Sequence, residues 1–182
     1  MPSEGWRIEI LCEDRRAERF LRRLCDRFRI RVLRVDVAPS GKGSAADWVL
    51  RRYPEVLKQL RSKNFQTRLG LVVHLDGDHV GLAPRKQQLK ADARGDDEPV
   101  ALMVPCWSIE TWLAALCGRE VSEMEPLKEN SSFSDLWADG RTETATIQKA
   151  VEAWPSPKPL PSLSEAQREA VRIGIGAKSP GA

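Results

Sequence analysis

Histidine is scarce in this sequence: His74 and His79 are the only two. The four cysteines, Cys12, Cys25, Cys106 and Cys117, contain no CxxC pair. These shortages exclude the common structural zinc patterns, and each cysteine lies in or beside an apolar segment, as a reduced core thiol would. No apolar run approaches the roughly 20 residues that a membrane span requires. The polar opening, residues 1–7, has no secretory h-region. A cytoplasmic protein with no membrane partner is therefore expected. Two catalytic signatures are missing as well. No nucleophile elbow supports Ser/His/Asp chemistry. The loop Ser40-Gly41-Lys42-Gly43-Ser44 lacks both the earlier glycine and the Ser/Thr after the lysine that a P-loop needs. No internal repeat is visible.

What is present suffices for a packed domain: 182 residues, 41% of them hydrophobic. The net charge of +3 is small but unevenly spread, with arginine crowded between Arg15 and Arg34. Such a stretch suits a polyanionic partner, although a GC-rich genome writes the same bias. Residues 6–12 read as a strand. Residues 15–29 read as an amphipathic helix, with Ala17, Phe20, Leu21, Leu24 and Phe28 on its apolar stripe, and 31–37 as a second strand. A helix from residue 45 stops near Tyr53, where Pro54 interrupts it, and restarts over 55–61. Residues 69–75 form a third strand, 84–93 a helix with Pro84 in its first turn, and 100–105 a fourth strand. A helix capped near Ser108 runs to Leu116.

After Gly118 the pattern weakens. A helix over 142–154, a proline-rich stretch over 154–161 that cannot be helix interior, and a short helix over 164–173 precede a Gly-rich tail expected to be mobile. The alternation predicts an α/β fold. A mostly parallel sheet of about four strands, flanked by helices on both faces, occupies residues 1–118, and an irregular, partly helical extension occupies 119–182. A lid, a homodimer contact or a partner surface all fit that extension.

Ligands gather outside the carboxyl ends of parallel strands, and there the acids fall. The third strand runs into Asp76-Gly77-Asp78. Two carboxylates one residue apart, with glycine letting the backbone turn between them, can share one space and hold a hard divalent cation. Asp-Gly is also a common turn pair. Glu13, directly after the first strand, reads as a metal ligand or general base, while Glu13 and Asp14 equally suit capping of the helix. Glu110, just past the fourth strand, is a further candidate ligand or an ordinary first-turn acid. His79 is placed to assist proton transfer, and His74 reads as a core histidine. Lys42 and the helix arginines Arg15, Arg16, Arg19 and Arg23 are the candidate phosphate-binding groups. The six tryptophans are too scattered for a stacking platform and read as core.

Glu13 after a first strand, an Arg-rich helix, and Asp76-Gly77-Asp78 after a buried strand together resemble a TOPRIM (topoisomerase–primase) domain, a compact α/β fold on a parallel sheet. From the loop over 39–44 through Asp76 to Ile109-Glu110-Thr111-Trp112-Leu113, the chain is similar to small stand-alone TOPRIM-like proteins related to the nuclease domain of OLD-type (overcoming lysogenisation defect) proteins. The resemblance covers roughly residues 6–116. It implies that Glu13 is the acidic residue acting in metal binding or as general base, that Asp76 and Asp78 are the metal-binding pair, and that Glu110 completes a second metal position. Two Mg²⁺ or Mn²⁺ ions, a nucleic-acid substrate, a setting in genome or phage defence, and an ATPase partner protein follow from the same resemblance. Asp14 stands where the family often has glycine, and Val80 where a third aspartate is common. Both departures move the expectation from topoisomerase or primase work to nuclease-type cleavage of DNA or RNA. A non-catalytic nucleic-acid- or partner-binding subunit, and a phosphatase or nucleotidyl-transfer enzyme on small nucleotides, are the alternatives.

Overall fold

Alternate residues of each strand feed two separate cores, and that alternation fixes the architecture. The computed structural model describes residues 5–63, 68–91 and 94–176. Four strands, β1 (Arg7–Cys12), β2 (Arg31–Val37), β3 (Leu69–His74) and β4 (Val100–Met103), form one all-parallel sheet in the order β2-β1-β3-β4. Ile8, Ile10, Val72, Ala101 and Met103 pack in one core with helices α1 (Arg15–Arg27), α4 (Ile109–Leu116), α5 (Gly140–Ala153) and α6 (Pro161–Val171). Leu11, Leu69, Leu71, Val73 and Leu102 pack in the other with α2 (Ala45–Lys63) and α3 (Leu82–Ala91). The fold is the α/β class expected, with helices on both faces of the sheet.

β1 and β3 are central and almost wholly buried, whereas β2 is an edge strand with Arg31 and Leu33 exposed. The other edge is covered. The Leu102 N–H of β4 donates to Glu169 Oε2 of α6 at 2.9 Å, and Arg94 donates to the Val100 carbonyl at 2.8 Å. An uncovered row of strand amides invites pairing with another chain, and this edge is closed against it.

Two expectations change. Pro54 does not break its helix: α2 runs unbroken through it. Proline costs about 3 kcal/mol in a helix interior, but Val49, Tyr53, Val56, Leu57 and Leu60 bury one continuous stripe on both sides of it. Each such side chain contributes about 1.5–3 kcal/mol, so burial outweighs the lost bond. The region after Gly118 also belongs to the core. Ile147, Val151, Trp154, Leu163, Ala170 and Ile173 share the α1/α4 cluster, and the Phe20 and Trp154 rings lie 5.7 Å apart. The start of the Gly-rich tail is anchored by the fully buried Ile175. Residues 177–182 lie outside the described residues.

The arginines of α1 have partners within the fold. Arg19 lies 2.8 Å from Glu143 of α5, Arg23 donates to Gln148 and Arg27 to the Val151 carbonyl. All four cysteines are free, and burial pushes the Cys12 and Cys25 thiols up, the latter to about 12. Among the described residues no helix is long and apolar enough to cross a membrane.

Candidate functional site

Three chain segments leave the same edge of the sheet carrying acids: Glu13 after β1, Asp76 and Asp78 after β3, and Glu110 in the first turn of α4 after β4. The division of labour at β1 is clear. Asp14 caps α1, its carboxylate accepting the Ala17 N–H at 2.8 Å. Glu13 is thereby released from capping and reaches the neighbouring strand, where its Oε2 accepts the Asp76 N–H at 2.7 Å.

Asp76 in turn reaches α4. Ser108 occupies the N-cap position but makes no capping bond with its side chain. Asp76 Oδ1 instead accepts the Ile109 N–H at 3.2 Å. A carboxylate from another strand thus meets one of the amides that a helix start leaves without an intrahelical partner.

Gly77 has a different role from the turn-making one expected. The residue in the left-handed region is Asp78, at φ 48°. Gly77 is required by space: a Cβ there would lie 2.0 Å from the Cys106 carbonyl oxygen and 2.7 Å from that of Pro105. Backbone bonds clip the two loops together, Gly77 N–H to Pro105 O at 3.1 Å and Asp78 N–H to Trp107 O at 2.9 Å. Gly77→Ala must push these loops apart. It should destabilise the fold by about 2–3 kcal/mol, read as a lowered denaturation midpoint with an unchanged slope. An alanine variant as stable as the parent would show that the loops are not clamped.

Electrostatically the edge is loaded. Burial pushes the Glu13 carboxyl up to about 7, with the Asp78 and Asp14 charges adding to it and the Asp76 N–H opposing it. Asp76 is raised well above the usual carboxylate range, first by burial and then by the charges of Glu13, Glu110, Asp14 and Asp78. Glu110 is 1% exposed; Arg16 engages its Oε1, and its Oε2 has no hydrogen-bond partner. Arg16 also donates to Glu143 at 2.7 Å and lies over the Trp137 ring. His74 is fully buried edge-on to Trp112, and burial lowers it to about 4, so it is neutral at neutral pH.

The other expected residues are placed less uniformly. His79 is exposed and, with Asp78, Trp107, Ser108 and Lys128, lines a cleft of about 250 Å³ beside the acids. Lys42 is exposed in the β2–α2 loop, and Arg15 pairs with Glu18 while remaining 74% exposed. Arg16, Arg19 and Arg23 turn toward α4 and α5, not toward open solvent alone. Three contributors escaped sequence reasoning. Arg85, buried on α3, donates to the Asp76 carbonyl at 3.2 Å. Lys128 comes from the irregular stretch after Gly118 and carries no local signal. Trp107 stands two residues past Pro105, at an edge the strand pattern had already located.

As a donor set, carboxylate oxygens suit a hard divalent cation, and the unpartnered Oε2 of Glu110 is a lone pair in need of a positive partner. As the side chains stand, no three of His, Cys, Asp or Glu among the described residues converge closely enough to hold an ion. The donors fit in kind, and loading requires side-chain rotation. No protein-family model, curated protein or solved structure matches the chain.

Proposed function

We propose that the chain is a TOPRIM-like nuclease, dependent on Mg²⁺ or Mn²⁺, that hydrolyses phosphodiester bonds of DNA or RNA. One observation carries the reading: acids from three adjacent strand ends share one sheet edge, where burial and the neighbouring acids raise the proton affinity of Glu13 and Asp76. A surface turn has no use for that arrangement, because crowded buried carboxylates oppose folding.

Glu13, Asp76 and Asp78 would hold the cation, with Glu110 joining through Oε2. A bound divalent ion supplies charge stabilisation at the phosphate and a more acidic water. The chain's own residues do the rest. Glu13, at the strand end beside the aspartate pair, could take a proton from water. Arg16 holds Glu110 by one oxygen and leaves the other open. Arg85 fixes the Asp76 backbone. His79 stands in the cleft where a leaving oxygen could be protonated. Arg15 and Lys42 are exposed for phosphate contact.

Incubation with supercoiled plasmid and with structured RNA, in Mn²⁺ or Mg²⁺ and with EDTA as control, tests the reading. Nicking of either polymer that EDTA stops is the expected result. Cleavage that survives EDTA, or none in either metal, would overturn it.

A further inference from the structure

The end of β2 carries a second feature of this sheet edge, one strand beyond Glu13. Val35, Asp36 and Val37 of β2, Arg15 at the start of α1, and Trp48 and Arg52 of α2 line a groove of about 480 Å³. Its position follows from register. Val37 pairs with Cys12, the residue before Glu13, so groove and acids lie side by side along one edge. Neighbouring strands are about 4.8 Å apart, so the groove at β2 and Asp76 at β3 are separated by roughly 10 Å.

Trp48 is only half-buried, against Val49, Tyr53 and Leu57, which are wholly or almost wholly so. Two arginines line the groove with it. Arg52 is fixed by Asp36 at 3.2 Å and by Glu55. Arg15 stands 74% exposed. Asp36, the groove's one carboxylate, is spanned by Arg34 in a fork of two 2.9 Å bonds as well as by Arg52. Its charge is therefore already met within the fold, while Arg15, bonded to Glu18 at 2.6 Å, keeps most of its side chain in solvent. The β2–α2 loop, in which Lys42 is exposed, starts directly after Val37 of this groove. A half-buried indole sharing a groove with arginines matches a base and its phosphate.

We propose that this groove is a nucleotide subsite for a single-stranded segment of the substrate. One base stacks on Trp48 while Arg15 meets the adjoining phosphate, and the strand continues along the edge toward Glu13 and Asp76. The inference rests on the nuclease reading for its polymer, but its test needs no cleavage.

Binding is measured in EDTA by fluorescence anisotropy, with a fluorescein-labelled oligothymidylate of about 12 nucleotides and an abasic chain of equal length. Trp48→Leu keeps apolar bulk and removes the aromatic face. It should weaken the base-bearing chain by about tenfold or more and leave the abasic chain unchanged, while Trp48→Phe stays within about threefold of the parent. Equal binding by parent and leucine variant, or equal loss on both chains, would overturn the subsite. If Trp48→Leu lowers the melting temperature, Arg15→Ala decides, since that side chain is largely exposed. It should weaken both chains and reduce the salt slope by about one, and an unchanged slope would overturn the phosphate contact. Thymidine monophosphate competing as well as the oligonucleotide would overturn the strand assignment. A parent chain that cleaves in Mn²⁺ but binds independently of Trp48 removes the subsite alone. Trp48-dependent binding without metal-dependent cleavage removes the nuclease reading and leaves the subsite.

Discussion

Asp76→Asn should abolish metal-dependent cleavage, by at least about a thousandfold, while the melting temperature holds or rises. The activity loss follows from removing the most central acid of the edge, the one that feels Glu13, Glu110, Asp14 and Asp78 together. The stability result follows from the same crowding. Asparagine is nearly isosteric, and its Oδ1 still accepts the Ile109 N–H that starts α4. It carries no charge to be repelled. Alanine is the poorer choice, because it leaves that helix start without its acceptor and mixes a folding effect, about 1 kcal/mol for a lost cap, with the catalytic one. Cleavage assays and a thermal melt on the same preparation decide. An asparagine variant that still cleaves would remove Asp76 from the chemistry. One that melts far below the parent would show that the charge, and not the hydrogen bond, supports α4.

Glu13→Gln should invert the usual relation between a mutation and stability, by an amount that grows as pH rises from about 4.5 to about 7. The Glu13 carboxyl is pushed from 4.5 to about 7 by burial, so the folded chain holds its proton more tightly than the unfolded chain does. The stability this protonation contributes is fully present below about 4.5 and is lost as pH rises through about 7. Glutamine never ionises, yet its Oε1 can accept the Asp76 N–H. At about pH 8 the variant should be more stable than the parent by up to about 3 kcal/mol, a rise of roughly 6–12 °C for a chain of this size. At about pH 4 the two should melt together. Cleavage should be lost at both. Mg²⁺ should raise the melting temperature of the parent at high pH more than that of the variant, because a cation relieves a strain the variant lacks. Parallel melting curves across the whole range would show that Glu13 is an ordinary solvated acid.

The sheet was legible in the sequence because its signal is local. β3 and β4 are short, largely apolar runs, β1 and β2 alternate apolar with charged residues, and the turn residues between them are nearby. The bounds of β2 match the expectation residue for residue, and β4 ends two residues early because Val104 and Pro105 pass into the loop that clasps Gly77. Acids at the strand ends were legible for the same reason. The sequence could not show which acid does what. Glu13 and Asp14 are equivalent as letters; only the approach of β3 separates the one that caps α1 from the one that reaches Asp76. Nor could it show where the arginines point. A helical row of Arg16, Arg19 and Arg23 looks the same whether it faces water or an acceptor more than a hundred residues away. Gly77 was misread in kind, since a close approach between two loops is a long-range fact written on one short residue.

α4 has no face of its own to show to water: all eight residues from Ile109 to Leu116 are buried. Its outer cover is made of α5 and α6, which come later in the chain. During synthesis from the amino end, the segment IETWLAAL therefore leaves the ribosome before its outer cover exists. For the next few dozen residues it is a sticky, uncharged helix apart from Glu110, the kind of surface that chaperones engage and that aggregates when they do not. The acid edge is fastened to this same helix, because Asp76 accepts its first amide.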